Sequence, residues 1–152
     1  TVPASVELDA SGIDAEPAKF PVRVRKKELT KVLSNVVPNA ADATGEKGRV
    51  RIGLSYRRLG KREAHRAGLE PVRCAVVWVK DDGCGMDENT LANVFDPFFT
   101  TKSIGAGTGI GMPIVYRTAR GWGGGVLVDS APGEGTLVRV FVPEERSARD
   151  GR

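Results

Sequence analysis

The stretch LSNVVPNAADAT, residues 33–44, decides how this chain is read. Extended back to Lys27, it places Leu29, Val32, Leu33, Val36, Val37 and Ala40 on one broad apolar stripe at helical spacing. The pattern predicts a helix over 27–44 that lays this stripe on a sheet. Two features disturb it. Asn35 and Asn39 are four residues apart and stack along one edge of the stripe. Amides at the border of a buried face either cap nearby backbone groups or offer oxygen to a ligand or cation. Pro38 deletes the bond to the carbonyl of Ser34 and crowds it, which costs about 3 kcal/mol in a helix interior. Its expected place is opposite the middle of the stripe, facing solvent, where water takes up that carbonyl. The bend would also re-aim Asn39 relative to Asn35.

Working outward, VEL (6–8) and FPVRVR (20–25) read as short strands around a loop rich in Ala, Asp and Pro. RVRIGLSYR (49–57) alternates as a strand does, and CAVVWVKD (74–81) is a β-rich run buried on at least one face. Residues 58–71 form a basic loop with room for one helical turn. A glycine-punctuated segment covers 82–111. PIVYRTAR (113–120) predicts a short helix, with Pro113 near its start and Gly121 past its end. GGVLVDS (124–130) and TLVRVFVP (136–143) are strands joined by the turn APGEG. The expected architecture is α+β, a two-layer α/β sandwich with one mixed sheet and helices on one face. One domain is expected over 1–143, with EERSARDGR (144–152) as a polar tail.

The bulk numbers agree with a single soluble domain. The chain has 152 residues, 40% hydrophobic and 28% charged. No apolar run approaches the roughly 20 residues of a membrane span. The start, TVPASVELDA, lacks the pattern of a signal peptide, and the absence of an initiator Met is what an excised piece of a longer protein shows. Cys74 and Cys84 do not make a zinc motif; they are either reduced thiols of a cytoplasmic protein or a disulfide pair. The net charge of +4 is modest, and RRLGKREAHR (57–66) reads as a solvated loop, so no nucleic-acid partner is expected.

Three further stretches carry chemistry. DDGCGM (81–86) follows a strand directly. Its glycines permit a sharp turn and a close approach to a flat ligand, and Asp81 is placed to accept from an exocyclic amine; a plain tight turn with exposed acids is the alternative. GAGTGIGMPIV (105–115) sets glycines at 105, 107, 109 and 111 and then opens a helix. Backbone N–H groups of such a loop can wrap phosphate oxygens, although neither G-x-G-x-x-G nor a Walker sequence is present. Between them, NVFDPFFTTKSI (93–104) holds three of the five phenylalanines. It is either a small satellite core or a lid whose Lys102 reaches a phosphate.

In order, these stretches resemble the ATP-binding catalytic domain of bacterial sensor histidine kinases. The wider group takes in DNA gyrase B, Hsp90 and MutL. The matching boxes are LSNVVPNAADAT, DDGCGM, FDPFFTTK, GTGIGM and the final PGEGT (132–136), covering roughly residues 28–143. The DPFFTTK form resembles the nitrogen-regulator type. The resemblance implies a Bergerat ATP-binding fold with a long ATP lid, and ATP and Mg²⁺ as cofactors. It implies that Asn39 is the metal ligand and that Asn35 and Lys102 are the catalytic side chains, with Asn35 near the phosphates. Asp81 would read adenine beside Thr136. Gly83, Gly85 and Met86 would line the base pocket, and Gly107, Thr108, Gly109, Ile110 and Gly111 would hold phosphates. Asp42, Ala43, Phe98, Thr101 and Met112 complete the implied nucleotide contacts.

The implied partners are a dimerisation and histidine-phosphotransfer hairpin upstream in the full protein and the receiver domain of a response regulator. The chain itself would be a cytoplasmic monomer. The only histidine, His65, lies in the basic loop and is expected to be solvated rather than a phosphate acceptor. The alternative function is a nucleotide-binding regulatory module of the same fold without phosphotransfer. The departures from the family pattern are Pro38, Pro113, the insertion-like stretch 57–71, and WGGG (122–125) in place of the more usual His-Gly-Gly.

Overall fold

The structure, a computed structural model, describes residues 7–13, 21–45, 48–96 and 111–145. The elements run β1 (Glu7–Ile13), α1 (Lys26–Thr44), β2 (Arg49–Arg58), α2 (Lys61–Ala67), β3 (Arg73–Asp81), α3 (Glu88–Ala92), α4 (Gly111–Gly121), β4 (Gly125–Ser130) and β5 (Thr136–Pro143). They build one five-stranded mixed sheet in the order β1-β2-β3-β5-β4. The β1–β2 pair is parallel; the other three ladders are antiparallel. The expected α+β sandwich is therefore present. No described helix is long and apolar enough to cross a membrane.

Side-chain alternation along the strands separates two cores. On one face, Val32, Val36, Ala40 and Ala41 of α1 and Val115 and Ala119 of α4 pack on the sheet valines, among them Val50, Val79 and Val138. This is the stripe read from the sequence, with Ala41 added to it. On the other face, Ala64 and Ala67 of α2 cover Cys74, Val76, Leu127 and Phe141, with Leu59 beside them. Also on this face, Trp78 pairs with Gly53 across the β2–β3 ladder. A Cβ at Gly53 would lie 1.9 Å from the indole, so only glycine admits that neighbour.

Several local expectations are corrected. The 58–71 loop contains a two-turn helix, α2, on the face opposite α1 and α4. Its alanines supply the buried i, i+3 contact, and Gly68, at φ 70°, ends it by donating to the carbonyls of Ala64 and His65. Among the described residues of FPVRVR (21–25) no strand forms: Val22 alone bridges, to Glu144, and α1 begins at Lys26 before a ladder can extend. The opening strand is longer than expected and continues to Ile13. Residues 88–92 of the glycine-punctuated segment form the short α3, capped by the Asp87 side chain, which accepts from Thr90 N–H at 2.7 Å. Pro38 is half-buried rather than solvent-facing, and α1 runs through it unbroken. The freed carbonyl belongs to exposed Ser34 and stays within reach of water.

At the C-terminal end, Glu144 N–H donates to Arg73 O and Glu145 N–H to Pro21 O, so backbone pairing runs two residues past the boundary at 143. The remaining tail, 146–152, lies outside the described residues. Both cysteines are free. Cys74 is the second residue of β3 and Cys84 lies beyond its far end, too distant for a disulfide. Burial pushes the Cys74 thiol up to about 11, so it is an inert core group.

Candidate functional site

The strand register builds one row across the end of the sheet. Val50 pairs with Asp81, Asp81 with Thr136, and Thr136 with Ser130. Because Val50 and Val138 face α1, alternation puts Asp81, Thr136 and Ser130 on that same helix-covered face. Asp81 is 5% exposed and is the one buried charged residue among the described residues. Its Oδ1 accepts from Gly83 N–H at 2.8 Å. Burial lifts the carboxyl above the usual aspartate range. The N–H groups of Gly83 and Thr136 pull it part of the way back, and the neighbouring Asp82 charge pushes it up again. Asp82 itself acts as a tether. Its side chain accepts from Arg49 N–H at 2.8 Å and ties the loop to β2.

The first glycine box is set by backbone proximity. A Cβ at Gly83 would lie 2.5 Å from the carbonyl oxygen of Ala43, and Cys84 N–H donates to that same oxygen at 3.1 Å. The C-terminal turn of α1 is thereby bonded to the loop that follows β3. Gly85 has φ 70°, and a Cβ there would sit 1.9 Å from Ala131 O. Gly135, at φ 74°, would bring its Cβ within 2.1 Å of Asp81 O. PGEGT and DDGCGM are therefore one packed unit, closed further by Gly133 N–H donating to Cys84 O at 2.7 Å. Met86 N–H reaches the Ser130 hydroxyl at 2.9 Å.

The amide pair faces the start of α4. Asn35 Nδ2 donates to Lys31 O at 2.7 Å, which spends a donor within its own helix. Its Oδ1 lies 3.1 Å from the position a Gly111 Cβ would take, and Asn39 Nδ2 lies 3.7 Å from that point. The asparagine box and the end of the second glycine box thus meet without a side chain between them. Met112 and Phe95 are half-buried against the α1/α4 core, and Phe95 stacks on Tyr116 with centroids 4.9 Å apart. Asp42 is exposed and Ala43 half-buried on the last turn of α1.

Asp42, Ala43, Asp81, Gly83, Gly85, Met86 and Thr136 gather where the C-terminal turn of α1 meets the end of β3, whereas Asn35 and Asn39, farther back on α1, lie beside Gly111 at the start of α4, with Met112 next to it. Phe98, Thr101, Lys102, Gly107, Thr108, Gly109 and Ile110, and with them the lid, lie outside the described residues. Sequence reading missed Ser130, whose place in the row follows from counting the β4–β5 hairpin register. It also missed Asp82 as a tether and Asp87 as a helix cap. A cavity of about 880 Å³, lined in part by Arg58, Leu69, Arg73, Arg120 and Trp122, takes in none of the expected site residues. It lies at the other end of β3 and β5, where Arg73 and Pro143 line it.

Among the described residues no group of three or more His, Cys, Asp and Glu side chains is arranged to hold a metal ion. The oxygens available beside Gly111 are those of amides. A Mg²⁺ ion carried with phosphates needs only one or two protein oxygens, so this donor set fits such an ion.

Comparison with known proteins identifies the family. Residues 24–146 match the family of histidine kinase-, DNA gyrase B- and HSP90-like ATPases. Among curated proteins, the chain is 36% identical over 137 residues to the sensor kinase CckA of Brucella abortus, covering 86% of this chain and 14% of that protein. It is 34% identical over 139 residues to the sensory histidine kinase/phosphatase NtrB of Rhizobium meliloti, covering 86% of this chain and 34% of that protein. The chain thus spans about a third or less of the length of these relatives. Among solved structures, the mycobacterial sensor histidine kinase MprB superposes with a TM-score of 0.70 at 22% identity, over 95% of this chain and 87% of that one. The catalytic domain of the histidine kinase ThkA gives 0.65 at 23% identity, over 92% and 81%. These two likenesses establish the fold, and the match over 24–146 establishes the family: the chain belongs to the histidine kinase-, DNA gyrase B- and HSP90-like ATPases.

Proposed function

We propose that the chain is the ATP-binding catalytic domain of a two-component sensor histidine kinase. It delivers the γ-phosphate of ATP to a histidine on a separate dimerisation hairpin, from which a response-regulator receiver domain takes it. The domain occupies residues 1–143, works in the cytoplasm and is a monomer without the hairpin. One set of observations supports the reading: buried Asp81 and the first glycine box are bonded to the C-terminal turn of α1, and on the same helix the amide pair faces Gly111, the last glycine of the second box.

Each group has a role in that reading. Asp81, held in place by Gly83 N–H, accepts from the exocyclic amine of adenine. Met86 and the close backbone at Gly83 and Gly85 shape the base pocket. Asn39 would hold Mg²⁺ through its amide oxygen, and Asn35 presents its own oxygen toward the start of α4. When bound, Mg²⁺ neutralises phosphate charge during transfer. An amide at Asn35 cannot take a proton from water, which suits transfer to a histidine better than hydrolysis. The stretch 93–104 is read as the lid, with Phe98 and Thr101 in it and Lys102 reaching a phosphate, and Gly107, Thr108, Gly109, Ile110 and Gly111 as the residues that would hold phosphates and support it. His65, on α2 across the sheet from the amide pair, takes no part.

The test supplies the parent protein's upstream hairpin in trans with γ-labelled Mg-ATP. Label on the hairpin histidine is the expected result. ATP binding without transfer would favour a regulatory nucleotide-binding module instead. In the same assay Asn39→Ala is expected to weaken Mg-dependent ATP binding strongly. Unchanged Mg-dependent binding by that variant would refute the metal assignment.

A further inference from the structure

Ser130 ends β4 and stands next to Thr136, which itself stands next to Asp81, in the row across β4, β5 and β3. Three bonds meet at its hydroxyl. Met86 N–H donates to it at 2.9 Å. It reaches Gly135 O at 2.9 Å and Thr136 Oγ1 at 2.8 Å. A serine hydroxyl has one proton and two lone pairs. A carbonyl can only accept, so the proton goes to Gly135 O. One lone pair is taken by Met86 N–H. The contact with Thr136 is then satisfied only if Thr136 donates and Ser130 accepts. This fixes the proton: Thr136 gives its hydroxyl hydrogen away from Asp81, and only its lone pairs remain for anything entering beside that acid.

We propose that Ser130 is a positioning residue that makes Thr136 an obligatory acceptor and so sharpens selection of a 6-amino purine over a 6-oxo purine. The proposal rests on the reading of Asp81 as the adenine-side acid. Beside a carboxylate and an acceptor hydroxyl, an amine finds partners, whereas a ring oxo group meets a second lone pair. Without Ser130 the Thr136 hydroxyl is free to turn and donate to a 6-oxo group. Ser130 also anchors Met86 and the turn at Gly135, so its loss is expected to weaken both nucleotides to some extent. The ratio between them isolates the effect on proton placement.

The experiment measures binding of Mg-ATP and of Mg-inosine triphosphate to the 152-residue chain by titration calorimetry. Wild type, Ser130→Ala, Thr136→Val and the double variant are compared, with thermal unfolding as a check on folding. Ser130→Cys, of similar volume and weaker hydrogen bonding, replaces the alanine variant if that one does not fold. The expected result is a roughly tenfold fall in the preference for ATP in Ser130→Ala, the usual scale for one mispaired polar group shielded from water by the bound base. In the Thr136→Val background the Ser130 substitution should cause no further change in the ratio. An unchanged ratio in Ser130→Ala, or a full effect that persists in the Thr136→Val background, would overturn the role given to Ser130 while leaving the adenine cleft in place. A wild-type chain that does not distinguish the two nucleotides would overturn the cleft reading itself.

Discussion

Asp81, at the end of β3, and Glu63, on the helix packed against the opposite face of the sheet, are both shielded carboxylates, yet their ionisation is shifted in opposite directions. Asp81 lies under the α1/α4 layer, and its side chain takes backbone N–H groups. Burial is the largest influence on it, and the carboxyl is raised. Glu63 lies on the α2 side. It takes a bidentate pair of bonds from Arg57 and another bond from Arg139, which also binds Asp129, itself held by Arg66. The hydrogen bonds from Arg57 are the largest influence there, and Glu63 is held below the usual glutamate range. One face spends its acids on a five-membered ion-pair network that clamps α2 to the sheet. The other face keeps an acid without a cation among its shown partners, ready for a donor from outside. A carboxylate held by backbone N–H groups is costly for folding, and the role proposed for Asp81 in binding a ligand would account for that cost.

The comparison breaks most severely if Gly135 acquires a side chain. Gly135→Ala combines a positive φ with a Cβ 2.1 Å from Asp81 O, and should lose about 3 kcal/mol of stability in denaturant titration. A loss well below 1 kcal/mol would mean the turn does not pack on Asp81 as described. Glu63→Gln, on the other face, should cost about 1–2 kcal/mol, since the network is only partly buried. It should leave nucleotide affinity within about twofold, because the site lies across the sheet.

Acid titration sharpens the same contrast. The lowered Glu63 stabilises the fold above the ordinary glutamate range, and that contribution disappears as pH falls through its depressed folded value. The raised Asp81 has the opposite sign. The folded chain binds that proton more tightly than the unfolded chain, so ionisation of Asp81 costs stability as pH rises through its elevated folded value. If the Asp81 carboxylate reads the base as proposed, nucleotide binding should therefore weaken on acidification before the fold does. Calorimetric affinity and thermal midpoint followed over the same pH series check this order. Coincident loss of both would remove the distinction.

The parts of the fold that were legible in the sequence are those whose signals are local. The α1 stripe needs only helical spacing, the β4–β5 hairpin needs only its glycine turn, and the glycine boxes announce close backbone. Helix α2 was hidden because seven mostly charged residues give little periodicity. Its partners Asp129 and Arg139 lie 63 and 76 residues away along the chain from Arg66 and Glu63. Val22 and Val24 alternate like a strand, but the start of α1 two residues later leaves only the bridge at Val22. In the site, Asp81 was legible from its place before Gly-x-Gly. Ser130 was not, because its meaning comes from three partners brought together by cross-strand register.

The central claim is that Asp81 is the acid that accepts from the base of a bound adenine nucleotide. Its most direct measurement is the affinity of Asp81→Asn for Mg-ATP by titration calorimetry beside wild type, with thermal unfolding to show that the variant is folded. The amide keeps the shape of the side chain and presents donors where the cleft needs an acceptor. Binding at least about a hundredfold weaker in a folded variant is the expected result. A folded Asp81→Asn chain that binds Mg-ATP as tightly as wild type would contradict the account.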